Sequence, residues 1–442
     1  MPIFKVEVMA DVKGNTDDRT KLAAGMCYQP NVELARKTKV PVSDLWDGGH
    51  HTTMMHDKHH VTYLFENIPV SLVTFGLHLT HPFYNTSQRS GRYCTQMFGN
   101  DLTEYIHNFL VKYYQLDQSA VDRISKWVTR GMDFFENNRA HVTELARAAI
   151  HKERPFFKGN IDKHAERLAQ EQLRCFISTI TPTGMLYTVN LPTVAAMNRV
   201  AWNGPLKDLT SEMFRQVFSE DPPIGIERWH PIMNSSDWYS VVINRPIIDM
   251  PMGDPDAQTK TVYSKVRYQN EKGSLNCLPF SPRTAWTEDE YKVKSIVELS
   301  VGAYGQEQRH RSIRRSLPEV TGRFLLPPLL ADHSASVRFA TEFINDYRVL
   351  VDEFTPEVMI NFIPYGATVK YCREAEINAL IHSARKRMCW NAMSEMSQLE
   401  QRHFTWIVGN TDGLEPCLTG RCLEGSRYCG RDLKNRVVRN KI

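Results

Sequence analysis

The chain is predicted to be an α/β (α+β) protein made of two tandem domains, each a mixed sheet with packed helices. Three observations predict this. Residues 3–9 and Val61–Ile68 read as strands, apolar residues recur at helical spacing in four later stretches, and a proline-rich segment interrupts the rhythm near mid-chain.

In chain order, residues 3–9 alternate like a strand, and Val61–Ile68 is rich in β-forming residues. Leu102, Ile106, Phe109 and Tyr113 then mark one helix, and Val121, Ile124, Val128, Met132 and Phe135 a second, with Ser119 and Asp122 as its capping box. The segment 218–260 carries Pro222, Pro223, Pro231, Pro246, Pro251 and Pro255. Prolines at that density stop regular elements, so the boundary is placed near residue 225, giving domains 1–225 and 226–442. The second half opens with strand-like Trp238–Asn244. A helix is expected from about Thr287, where Thr287 and Glu290 match a capping box. Val337, Ala340, Ile344, Tyr347 and Val351 form a further helical stripe, as do Ile377, Leu380, Ala384, Met388 and Ala392. Such stripes are core faces.

Composition narrows the function class. Charged residues at 24% and hydrophobic ones at 42% lie in the soluble globular range. A formal net charge of +4 is small for 442 residues, so no nucleic acid and no membrane surface is expected as partner. Met1-Pro2-Ile3-Phe4-Lys5 lacks the architecture of a secretory leader, and no apolar run approaches the ~18 residues of a membrane span. Nine cysteines, odd in number and scattered, fit a reducing cytoplasm better than a disulfide framework.

Two fragments half a chain apart carry the chemistry. Thr80-His81-Pro82 is followed at a fixed spacing by Ser90-Gly91-Arg92-Tyr93, and Arg309-His310-Arg311 by Glu319-Val320-Thr321. Further blocks are Gly49-His50-His51-Thr52-Thr53-Met54-Met55-His56, Tyr187-Thr188-Val189-Asn190, Gln306 three residues before Arg309, and Arg387 five residues before Ala392-Met393-Ser394-Glu395. Together these blocks resemble the flavin-dependent thymidylate synthase family, whose motif is Arg-His-Arg followed seven residues later by Ser-x-Arg. In this chain the motif is split, and each half keeps what the other has lost.

The resemblance implies a duplicated enzyme whose halves share one site. Arg387 would polarise the pyrimidine ring. Gln88, Ser90, Gly91, Arg92, Arg174, Gln306, Arg309 and Arg387 would bind the nucleotide, and His50, Thr52, Asn190, Arg309, His310 and Arg311 would hold FAD. Met55 and Gln88 stand where the family has Glu, and Ile360 near the place of a second phosphate arginine. The implied reaction moves a one-carbon unit from methylenetetrahydrofolate to C5 of dUMP, with NADPH as reductant. Hydroxymethylation or another C5 modification of a pyrimidine deoxynucleotide monophosphate is the alternative within enzymes. A non-catalytic nucleotide- or flavin-binding duplicate is the alternative outside them. The family's sites are assembled between subunits, so a homodimer forming a pseudo-tetramer is implied.

The residue types suit these tasks on their own chemistry. Guanidinium forks such as Arg92 and Arg174 bind a phosphate dianion bidentately. A cation such as Arg387 beside the O2–N3 edge of a pyrimidine stabilises charge that develops in the ring. His50, His51, His56, His59 and His60 cluster densely, but no carboxylate or cysteine completes a metal-ligand set. Cys94 reads as a packing residue. Cys417, Cys422 and Cys429 could hold zinc or an iron–sulfur cluster with Cys389 or His403, yet they lack a Cys-x-x-Cys pair; reduced thiols are the simpler reading.

Overall fold

The computed structural model describes residues 4–8, 60–79, 84–89, 101–201, 204–218, 259–265, 291–390 and 392–410, with single residues at 34, 37, 39, 41, 44, 91 and 430 and the pair 97–98. Its elements fall into two compact units that interleave along the chain. Residues 1–90, 103–121 and 181–250 form one, and 91–102, 122–180 and 251–442 the other. The expected boundary near 225, the strand at Trp238–Asn244 and Thr287 lie outside the described residues.

The first unit is built on a four-stranded antiparallel sheet in the order β1-β2-β4-β3, with β1 Lys5–Val8, β2 His60–Pro69, β3 Tyr84–Gln88 and β4 Pro182–Asn190. Register runs from His60 opposite Asn190 to Pro69 opposite Pro182, with an irregularity between Phe65 and Ile68. Asn67 sits there at a φ of 57°, and its carbonyl accepts from the Tyr105 hydroxyl at 2.8 Å. Alternation sends Val61, Tyr63, Phe65, Tyr187 and Val189 to one face, all fully or almost fully buried. They pack with Val194, Leu209, Met213 and Val217 from the helices Leu191–Val200 and Gly204–Phe218. Each such side chain contributes roughly 1.5–3 kcal/mol by leaving water. Helix α1, Thr103–Tyr114, matches the first expected stripe.

The second unit has a five-stranded sheet. Strands β5 Thr259–Lys265, β6 Tyr291–Ser300, β7 Arg314–Arg315, β8 Glu319–Phe324 and β9 Ala367–Glu376 lie in the order β5-β6-β9-β7, and β8 also pairs with β9. The helix expected from Thr287 is therefore a strand. Val293, Ser295, Val297 and Leu299 are buried at period two, and the polar Ser295 among them disguises the alternation.

Two long helices pack in this unit: α2 Gln118–Glu153, all but its first turn, and α3 Ser334–Met359. The cap of α2 corrects the expected one, because the carboxylate of Asp117 accepts from Ala120 N at 2.8 Å. Trp127 stacks on Phe343 at 4.5 Å and donates its Nε1–H to the Phe343 carbonyl at 3.0 Å. Gly131 is required at this crossing, since a Cβ there would run into the Phe176 carbonyl oxygen. Helix α3 bends at Pro356, next to Thr355 with a φ of 70°. The stripe beginning at Ile377 forms a helix, α4 Ile377–Arg387, that stops before Met388 and Ala392. A last helix, α5, spans Ser394–Asn410.

The two sheets share one plan. In each, the first strand pairs with the second, the second with the last, and the last with the third. In each, a helix starts directly after the second and last strands, at Val70 and Leu191 and again at Val301 and Ile377. Among the described residues no helix is long and apolar enough to cross a membrane.

Candidate active site

The short helix Val301–Glu307 follows β6 and is capped twice. The Ser300 hydroxyl accepts from Ala303 N at 3.2 Å, while the Glu395 carboxylate accepts from Ser300 N at 2.8 Å and from its hydroxyl at 2.7 Å. This fixes the direction in which the helix delivers Gln306 and the loop that follows.

That loop, Gln308–Ile313, is held from both sides. Arg315 donates Nη1–H to the His310 carbonyl at 3.1 Å and Nη2–H to the Gln308 carbonyl at 3.4 Å, and it pairs with the Glu307 carboxylate at 3.1 Å. The fully buried Arg373 pairs with Glu307 at 2.9 Å and with Glu400 at 2.6 Å, and it donates to His403 Nδ1 at 2.7 Å. His403 must then carry its proton on Nε2, which donates to the Ser295 hydroxyl at 2.9 Å. Burial opposes charge on Arg373, but Glu400 and Glu307 outweigh it and raise its pKa. Two buried carboxylates and two guanidiniums thus anchor the loop. Arg373 carries a sequence signal, for a charged residue at a core position of an alternating strand needs a buried partner.

On this base four of the expected residues come together. Arg387, the last residue of α4, donates Nε–H to His310 Nε2 at 2.7 Å and Nη2–H to the Gln306 carbonyl at 2.9 Å. The Gln306 side-chain oxygen accepts from Met393 N at 3.3 Å. The Met393 sulfur in turn lies 2.9 Å from Arg174 Nη2. Arg174 opens the helical turn Arg174–Phe176 after the helix Ile161–Leu173; it is 7% exposed, and its guanidinium faces the Tyr365 ring at 5.3 Å. A residue from the first half of the chain therefore shares one buried cluster with three from the second.

Backbone pairing fixes Arg174. Tyr365 N donates to the Ile177 carbonyl at 2.9 Å, Thr179 N to Ile363 at 3.0 Å, and Gly366 N to Cys175 at 2.8 Å. One turn before Arg174, Gln170 Nε2 donates to the Gly91 carbonyl at 2.7 Å, which ties Gly91 of the Ser-Gly-Arg-Tyr stretch to the same helix.

Electrostatics follow the geometry. Burial, then the charges of Arg387 and Arg373, lower the His310 pKa to about 2, so the ring stays neutral and its Nε2 accepts from Arg387. Burial raises the Tyr365 pKa to about 12, with Arg174 opposing.

The remaining expected residues are placed as follows. Arg309 is exposed and Arg311 half-buried on the anchored loop. Gln88 ends β3 opposite Met185, and the Asn190 side chain accepts from Thr193 N at 2.9 Å as a helix cap; both belong to the first unit. Ser90, Arg92, His50, Thr52, Cys94, Cys417, Cys422 and Cys429 lie outside the described residues. Sequence reasoning missed Glu307, Arg315, Tyr365, Arg373 and Glu400, and it quoted Met393 only as motif context.

Residues 8–203 match the family model described as thymidylate synthase complementing protein. The match covers less than half of the chain, and over that stretch the sequence is similar to the family. No curated protein matches it. The match takes in Gln88, Gly91, Arg174 and Asn190, while Gln306, Arg309 and Arg387 lie beyond it. The match supports a flavin-dependent, thymidylate synthase-like function in general.

Proposed function

We propose that the protein transfers a one-carbon unit from methylenetetrahydrofolate to C5 of dUMP, with NADPH as reductant and FAD as redox cofactor. The observation that carries this reading is the contact chain Arg174–Met393–Gln306–Arg387–His310, which joins residues of both halves within one unit. The shared strand order of the two sheets supports an internal duplication, and the split motif supports a division of one site between its copies.

In this reading Arg174, with Arg92 and Ser90, holds the phosphate. A guanidinium facing a ring and a thioether is already desolvated, so a dianion reaching it gains a charge-assisted pair. Gln306 and Arg309 contribute nucleotide contacts from the second half. Arg387 is kept in one orientation by two acceptors, His310 Nε2 and the Gln306 carbonyl. A preorganised cation stabilises charge developing in the pyrimidine ring without reorganising during the reaction, worth about 3–4 kcal/mol by analogy with oxyanion donors.

The loop residues fit a flavin dinucleotide. Arg309 and Arg311 are the chain neighbours of a neutral His310, and two cations on one loop suit a diphosphate or an electron-rich ring. When bound, the flavin would supply hydride transfer. The chain's own residues bind the nucleotide, orient its ring and fix the local charge. A homodimer of pseudo-tetrameric arrangement completes the proposal.

The test is the absorbance spectrum of the purified protein, followed by mass spectrometry of dUMP turned over with methylenetetrahydrofolate and NADPH. The expected result is a flavin spectrum and a product heavier by one CH2, a methyl group in place of the C5 hydrogen. A colourless protein that FAD does not reconstitute, or dUMP returned unchanged, would sink the proposal.

A further inference from the structure

The second half contains a tetrapeptide that echoes the first. Thr321-Gly322-Arg323-Phe324 repeats the residue types of Ser90-Gly91-Arg92-Tyr93. Strand register puts the two in corresponding places. Arg89 N bonds to the Gly184 carbonyl, Glu319 pairs with Lys370, and Gly184 and Lys370 each lie six residues before the ends of β4 and β9 at Asn190 and Glu376. Arg89 thus corresponds to Glu319, and the two tetrapeptides begin within one residue of each other. Gly322 has a φ of 72°, a conformation that favours glycine in the turn.

Around Arg323 the chain has built an oxyanion receptor and filled it itself. Arg323 forks onto Glu298, with Nε 2.9 Å from Oε1 and Nη2 on Oε2. The same Oε1 accepts from the hydroxyls of Thr368 at 2.6 Å and Thr321 at 3.2 Å. A guanidinium fork with two hydroxyls is a donor set that suits a phosphate as well as a carboxylate. A cavity of about 340 Å³ opens on this cluster, within the range of small-molecule sites. Phe324, Leu325 and Leu399 give it an apolar side, and Arg402 a second cation.

We propose that this cavity is a second nucleoside-monophosphate pocket that Glu298 holds closed by occupying the place of the phosphate. The identity of the ligand rests on the function proposed above; the blocked anion receptor does not. A phosphate dianion arriving at Arg323 meets a tethered carboxylate of like sign, which both repels it and competes at high effective concentration. Glu298→Gln removes that charge and keeps an oxygen acceptor for Thr368, while an amide cannot hold the guanidinium fork through two oxygens.

Isothermal titration of the full-length protein with dUMP, repeated with inorganic phosphate, tests this. One nucleotide per chain is expected for the unaltered protein and two for Glu298→Gln. The added site should bind at least about tenfold more tightly than the unaltered pocket and should vanish in Glu298→Gln/Arg323→Ala. Arg323→Ala alone should leave stoichiometry and turnover unchanged, and its thermal melt reports folding. Two nucleotides bound by the unaltered protein, or no gain of either ligand in a folded Glu298→Gln protein, would overturn the inference. If the unaltered protein binds no dUMP, the proposed function fails, whereas a gain of phosphate binding in Glu298→Gln would still uphold the blocked receptor.

Discussion

Removal of the Arg387 guanidinium should slow turnover far more than it weakens nucleotide binding. Arg387 donates to His310 Nε2 at 2.7 Å and to the Gln306 carbonyl at 2.9 Å, so its position is fixed before any substrate arrives. If its charge stabilises the ring only as negative charge develops there, Arg387→Ala forfeits about 3–4 kcal/mol of transition-state stabilisation, a turnover loss of roughly 10²–10³. The ground-state contact to a neutral ring is worth only about 0.5–1.5 kcal/mol, so the Kd for dUMP should rise about 2- to 13-fold. Two protein acceptors also lose their donor, which lowers stability by about 1–3 kcal/mol. Arg387→Lys keeps the charge but cannot reproduce the two-acceptor clasp, so its turnover should fall between the two. Single-turnover flavin oxidation measures the chemical step, calorimetric titration the binding, and urea unfolding the stability. Normal turnover in Arg387→Ala, or equal losses in binding and turnover, would refute the assignment of Arg387 to the ring.

Arg174→Ala should do the reverse, weakening dUMP binding by about 2–4 kcal/mol with a smaller change in the chemical step, read from the same two assays. Arg373→Ala leaves Glu307 and Glu400 buried without their shared partner and should cost about 3–5 kcal/mol in urea unfolding, whereas a surface change such as Arg215→Ala should cost under about 0.5 kcal/mol. Stability should fall as pH drops below the ordinary histidine value of 6.5. His310 has a folded pKa of about 2 and His403 one lowered by burial and then by Arg373 and Arg402, so below 6.5 the unfolded chain binds protons that the folded chain refuses. Each buried histidine contributes a slope of about 1.4 kcal/mol per pH unit in that window, and His310→Gln should remove one such share from unfolding free energies measured between pH 6 and 4.

Much of the fold was legible because its elements are locally periodic. Phe109 and Ile106, or Ile344 and Tyr347, are buried where the helical stripes place them, and Val61–Ile68 is a strand. Strand β6 was misread because Val293 and Val297 are spaced like a helix face and the intervening core position is a serine. Its burial is tolerated only through the hydrogen bond to His403, more than a hundred residues away. The same non-locality hides Glu307, Arg373 and Glu400. Each looks like a surface charge in its own window, and only the fold turns the three toward one another. Gln306 and Arg387 were singled out because they stand beside recognisable blocks, and Arg174 through the family resemblance, yet no spacing in the sequence says that Met393 joins Arg174 to Gln306. The tetrapeptide at Thr321 escaped because it lies two residues beyond the motif spacing at which it was sought.

The division of one site between two halves is tested most directly by a double-mutant cycle on dUMP binding, with Arg174→Ala from the first half and Gln306→Ala from the second. The two side chains are linked through Met393, which contacts Arg174 by its sulfur and Gln306 by its backbone amide. A coupling energy of about 0.5–3 kcal/mol is expected for residues that share one ligand and one intervening partner. Losses that add to within about 0.3 kcal/mol, or a Gln306→Ala protein that binds dUMP as tightly as the unaltered chain, would contradict a shared site.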